Sequence, residues 1–120
     1  MRQFKRADRL AEQMRRDIST LLEEEMTDLG YGLVTFTRVR LTEDLRYAKV
    51  YYSFLGGDEE KEKVGDYLLQ KSRQIRSRVG KQLHMRHIPE LTFVFDPSIE
   101  EGIRIEQLFN EIKSNRKEDE

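Results

Sequence analysis

The chain has 120 residues, enough for one compact domain with a modest core and too few for two ordinary domains. Charged residues make up 38% against 37% hydrophobic, with a net charge of -1 and no cysteine; this excludes a disulfide scaffold and any thiolate metal site. No apolar run is long enough to span a bilayer, and the N-terminus Met-Arg-Gln-Phe-Lys-Arg lacks the apolar core of a secretory signal, so a soluble, cytoplasmic protein is expected.

The first element predicted is a helix from about Arg6 to Met26. Leu10, Met14, Ile18, Leu21 and Leu22 recur at spacings of three and four beside Ala7 and Ala11, which makes one apolar stripe. Gly30 and Gly32 then mark a turn. Two strands follow. Over Leu33–Leu41, the alternation puts Leu33, Thr35, Thr37, Val39 and Leu41 on one face and Arg38 and Arg40 on the other. Over Tyr47–Phe54, Ala48, Val50, Tyr52 and Phe54 alternate with Tyr47, Lys49, Tyr51 and Ser53. The short link between the runs predicts an antiparallel hairpin.

Helix is expected again from about Asp58 to Leu83, on the stripe Val64, Leu68, Ser72, Ile75, Val79 and Leu83. Ser72 interrupts the apolar line, as at a bend or a close approach. Gly80 costs helix stability. After Pro89 the run Leu91–Phe95 reads as a third strand. Ser98 and Glu101 read as a capping box opening a last helix, with Ile105, Leu108, Phe109 and Ile112 on its apolar side. The fold class is therefore α+β: a three-stranded sheet packed against helices on one face, with every apolar stripe buried. Residues 1–113 form the domain, and 114–120 a charged tail expected to fray.

Charge singles out one segment. Tyr67 to Pro89 contains no Asp or Glu, in a chain with 23 of them. It carries Lys71, Arg73, Arg76, Arg78, Lys81 and Arg86, together with both histidines, His84 and His87. A block of one sign points to an anionic partner better than overall charge does. Arg73, Arg76 and Lys81 lie off the apolar stripe, and Arg86 and His87 sit in the connection to the third strand. Arg can grip a phosphate with two donors, so these residues are candidate RNA contacts. Arg6 and Arg9, on the first helix, are further candidates, although Asp8, Glu12 and Asp17 interleave with them. Tyr47 and Tyr51 beside Lys49 have the makings of a stacking face, or of ordinary sheet packing.

Catalysis finds little support. There is no Walker-type phosphate loop and no H-E-x-x-H motif. His84 and His87, three apart, lack a third ligand nearby, so no metal or other cofactor is expected. The acid pairs Glu100-Glu101 and Glu23–Glu25 read as solvated helix surface. We expect a protein that is not an enzyme, takes no small-molecule substrate and does not bind membranes.

Several local strings resemble one family. Arg9-Leu10-Ala11-Glu12-Gln13-Met14-Arg15-Arg16 is similar to the first helix of ribosome-binding factor A, and Leu41–Tyr51 to its hairpin. Ile75-Arg76-Ser77-Arg78-Val79-Gly80-Lys81 continues through Arg86-His87-Ile88-Pro89-Glu90-Leu91-Thr92-Phe93 in the same pattern, and Asp96, Ser98, Gly102, Arg104 and Ile105 complete it. The resemblance implies a type II KH-like domain in which a kinked helix replaces the G-x-x-G loop. It also implies binding, as a monomer, to the free small (30S) ribosomal subunit and its 16S rRNA. Assistance in 16S maturation, including 5′-end processing, and a role in cold adaptation come with it. A KH-type module acting on other RNAs, or a domain docking an acidic protein, is the alternative. Where the family has an Ala-x-Gly kink this chain has Lys71-Ser72-Arg73, and where many relatives have a Pro-containing turn it has Thr27-Asp28-Leu29-Gly30.

Overall fold

The computed structural model describes residues 2–119, with side chains described for residues 6–98 and 102–113. Six elements follow one another: α1 (Arg2–Asp28), β1 (Leu33–Leu41), β2 (Tyr47–Leu55), α2 (Asp58–Gln82), β3 (Glu90–Phe95) and α3 (Ser98–Asp119). The strands form one sheet in the order β1-β2-β3, with β1 antiparallel and β3 parallel to the central β2. The α+β class and the three-stranded sheet backed by helices are as expected, and the order of elements fits the type II KH arrangement.

The core lies between the sheet and the paired helices α1 and α2. Met14, Ile18, Leu22 and Met26 of α1 and Val64, Leu68, Ile75 and Val79 of α2 are buried against Val34, Phe36, Val50 and Phe54. Each large side chain taken fully out of water contributes about 1.5–3 kcal/mol. β2 keeps the predicted phase: Ala48, Val50, Tyr52 and Phe54 all point inward. β1 does not. A bulge between Phe36 and Arg38 shifts its register against β2. Val34 and Phe36 are therefore buried, while Leu33 is 57% exposed and Thr35 faces solvent; beyond the bulge Val39 returns to the core. An inserted residue reverses an alternating pattern at that point, so the two halves of β1 obey opposite phases.

The bulge is supported by polar partners. The Phe36 N–H donates to Glu23 Oε1 at 3.0 Å, and the Thr37 hydroxyl donates to Asp96 Oδ2 at 3.0 Å. Glu23 and Glu25 are thus not merely solvated: Glu25 accepts bonds from Arg78 and from the Tyr67 hydroxyl.

α1 ends in a turn where Gly30 takes φ 80° and the Tyr31 N–H reaches back to the Met26 carbonyl. This is the left-handed stop that favours glycine. α2 is a single α-helix through Lys71-Ser72-Arg73, the place where the family has its kink. Arg73, a good helix former standing at the family's Gly position, fits that continuity. Gly80 is buried, with the Ile88 side chain seated where a Cβ would stand. Its cost in helix propensity is offset by close packing of the α2–β3 connection.

α3 departs from expectation. Ile105, Leu108, Phe109 and Ile112 are 49–60% exposed, so its apolar stripe is not buried by the sheet. Its start is held by Asp96, whose Oδ1 accepts the Ser98 N–H at 3.0 Å. The partner expected in a capping box, the Glu101 side chain, lies outside the described residues.

Candidate nucleic-acid interface

The acid-free segment supplies the C-terminal half of α2 and the connection to β3. Helical spacing divides its cations between two sides of α2. Arg73 and Arg76 face the β3 edge. Lys71, Arg78 and Lys81 fall on the side toward α1, where Arg78 donates to Glu25 Oε2 at 2.8 Å and to the Leu21 carbonyl. The block that is continuous in sequence is therefore split in space.

On the β3 side two hollows adjoin. The smaller, of about 300 Å³, is lined by Ser72, Arg73, Arg76, Glu90 and Leu91. Here the small Ser72 leaves room that a larger stripe residue would fill. The larger, of about 1030 Å³, lies between the β1–β2 turn and the α2–β3 connection. Arg6, Arg46, Arg76, Arg86 and His87 stand in its wall. Arg76 and Glu90 belong to both hollows, which makes one groove running from Arg73 to Arg6.

Not all of these side chains are available. Arg76 donates from Nε to the Pro89 carbonyl at 2.9 Å and from Nη2 to the Ile88 carbonyl at 2.6 Å. It ties the connection to α2, and its planar fork satisfies two carbonyls that the turn leaves open. Arg6, Arg73, Arg86 and His87 are exposed, and none makes an ion pair with a described residue. Of the remaining expected contacts, Arg9 and Lys81 are exposed but line neither hollow. Lys71 is half-buried on the α1 side of α2.

Arg46 is the residue that sequence reading missed. It sits in the hairpin link, far along the chain from the basic segment. The Glu90 N–H donates to its carbonyl at 2.8 Å, and that bond brings the link beside the α2–β3 connection. The neighbouring Tyr47 is 56% exposed and lines the same hollow, whereas Tyr51 is half-buried beneath Arg38, whose guanidinium lies 4.3 Å from the ring centre. Two carboxylates share the larger hollow, Asp44 and Glu90. Hydrogen bonds from the Thr42 hydroxyl and the Arg46 N–H hold the Asp44 carboxyl below its ordinary value and turn it back onto the hairpin.

Among the described residues no group of three His, Cys, Asp or Glu side chains is placed to hold a metal ion. No described helix is long and apolar enough to cross a membrane. What the geometry presents is a shallow groove with cationic walls, apolar floor residues and one accessible ring.

A single three-stranded sheet, backed by two helices and edged by such a groove, defines a small α+β domain whose order of elements fits the KH-like arrangement. The chain belongs to the ribosome-binding factor A family, whose family model matches residues 6–109. It is 41% identical to ribosome-binding factor A of Desulfitobacterium hafniense strain DCB-2, over 96% of this chain and 92% of that one. Against the Nitrosomonas europaea protein of the same name identity is 38%, over 92% and 94%. The fold is similar to the crystal structure of ribosome-binding factor A from Thermus thermophilus, with a TM-score of 0.59 at 24% identity, covering 73% of this chain and 93% of that one. It is also similar to a homology model of the Thermus thermophilus factor fitted into a cryo-EM map of its complex with the 30S subunit. There the TM-score is 0.65 at 22% identity, covering 76% and 96%.

Proposed function

We propose that this protein is a non-enzymatic, ribosome-associated assembly factor. It binds free small ribosomal subunits through 16S rRNA and assists maturation of that RNA, including processing of its 5′ end, and it serves growth in the cold. Family membership supports the ribosomal partner. The observation that carries the RNA contact is the groove: Arg6, Arg73, Arg86 and His87 come from three separate stretches of chain, converge on one surface and have no described carboxylate partner.

Phosphate binding needs donors that no carboxylate has already taken, because a guanidinium already paired with a carboxylate has little net attraction left for an anion. The groove is shallow and half apolar, which suits unpaired nucleotides better than a regular duplex. Arg76 and Arg78 are positioning residues in this reading. They hold the α2–β3 connection and α1 in place and leave the phosphates to their neighbours.

Sedimentation of a cell lysate tests the proposal. The protein migrates with free small subunits and not with whole ribosomes, and nuclease treatment releases it. Migration at the top of the gradient at low salt, or a complex that survives nuclease, would overturn the RNA-based reading.

A further inference from the structure

Two residues other than glycine take positive φ among the described residues: Leu45 at 61° and His84 at 52°. They are 39 positions apart in sequence, yet both line the larger hollow. Each occupies a place where glycine is the ordinary choice. His84 terminates α2, with the Met85 N–H reaching back to the Gly80 carbonyl at 3.1 Å. That is the same stop that ends α1, where the corresponding residue is Gly30. Leu45 closes the β1–β2 turn, its N–H bonded to the Thr42 carbonyl at 2.9 Å. A side chain in the left-handed region carries a steric cost that glycine avoids. Such a cost paired with a shared cavity directs attention to what the two side chains do there.

The cavity itself suggests the occupant. Its floor is apolar, from Leu45, Leu83 and Ile88, and Tyr47 stands beside it with an exposed ring. Arg6, Arg46 and Arg86 stand in the wall. A single-stranded nucleotide matches both parts: a flat base with π-faces, and a phosphate on either side. The volume of about 1030 Å³ is ample for it.

We infer that this hollow is a base-binding pocket, in which an unpaired RNA base lies against Leu45 and Tyr47 beside the His84 imidazole while flanking phosphates meet Arg6 and Arg86. The inference rests on the RNA-binding reading above and adds to it a contact made by the base. Phosphate contacts alone do not distinguish a base from its absence.

Binding of a uridine octamer is compared with that of an abasic ribose-phosphate of equal length, at one low salt concentration. The wild-type protein is expected to bind the base-bearing strand about tenfold more tightly. The Leu45→Gly, His84→Gly double variant keeps its affinity for the abasic strand and loses most of that preference. His84→Gly alone unfolds at a temperature no lower than wild type, because the backbone strain is relieved. Tyr47→Thr, a substitution on an exposed strand position, reports on the pocket without touching either turn and lowers the preference as well. Equal binding of the two strands by wild type, or an undiminished preference in the variants, overturns the pocket and leaves phosphate-based binding standing. Absence of binding to both strands overturns the pocket and the RNA-binding reading together.

Discussion

Gly80 fixes the position of the groove's far wall. Its missing Cβ is the space that Ile88 fills, and Ile88 lies between Arg86–His87 and Pro89 in the connection that forms the hollow. Helix propensity favours alanine over glycine by about 1 kcal/mol. Gly80→Ala is nonetheless expected to destabilise, since overpacking a filled site costs about 1–3 kcal/mol. Urea unfolding checks the sign: a variant more stable than wild type contradicts the packing account. Arg76 acts on the same connection from the other side. Arg76→Lys keeps the charge and loses the two-carbonyl fork. Amide exchange in residues 84–88 should quicken while the core of α1 keeps its protection, and unchanged exchange there would remove Arg76 from this role. The basic block was plain in the sequence, but the engagement of Arg76 and Arg78 was not. Arg78 bonds to Glu25, 53 positions away, and no local pattern reports such a partner.

Elements show where periodicity succeeds and where it fails. In α1, α2 and β2 most of the buried residues are those the spacing selects, because the elements are regular and packed along their length; Met26, Ser53 and Gly80 are buried without being among those selected, and Leu10, Leu21 and Leu83, though selected, are only half-buried. In β1 the bulge at Thr37 reverses the phase midway, and the Glu23 side chain that serves it comes from another element. In α3 the stripe is real but finds no cover among the described residues of the body. Replacing Ile105, Leu108, Phe109 and Ile112 by Gln should therefore change stability by no more than about 0.5 kcal/mol per site, as at other exposed positions. A large loss on thermal unfolding would show that the stripe is packed in solution. Asp96 joins three elements: it accepts from Thr37 at the bulge and caps the start of α3. Hydrogen bonds from Ser98 hold its carboxyl below the ordinary value of 3.8; burial opposes them, and the Thr37 hydroxyl adds a lesser push in the same downward direction. A group whose folded value is depressed stabilises the protein above its unfolded value, and that contribution is lost as pH falls through the folded value. Stability should thus drop as pH falls below about 4, and Asp96→Asn should flatten that part of the acid limb. An acid limb identical in the variant would assign the effect to other carboxylates.

At the scale of the molecule the chain is elongated. Its radius of gyration is 17.9 Å and its longest extent 65 Å. A compact chain of this length would have a radius of about 14 Å. The sequence led us to expect all helices folded onto one face of the sheet, and the exposed stripe of α3 is the counterpart of that extra length. Charge is distributed with the same asymmetry. Arg6, Arg73 and Arg86, which make no ion pair with a described residue, line the two adjoining hollows on the β3 side of α2, while Lys71 and Lys81 lie toward α1. Reversing Lys71 and Lys81 together should weaken binding to small subunits less than reversing Arg73 and Arg86 together, a ranking that pull-down at fixed salt reads directly. The reverse ranking would move the interface to the other side of α2.

The central claim is that the groove holds the RNA of the free small subunit. Its most direct test is the salt dependence of binding between purified free small subunits and two proteins, wild type and the Arg6→Glu, Arg73→Glu, Arg86→Glu variant. Three lost contacts to unpaired RNA should reduce the log–log slope by about 2 and weaken binding at every salt concentration, while thermal unfolding stays near wild type. A variant that binds with the wild-type slope and affinity would contradict the account and place the ribosomal contact elsewhere on the protein.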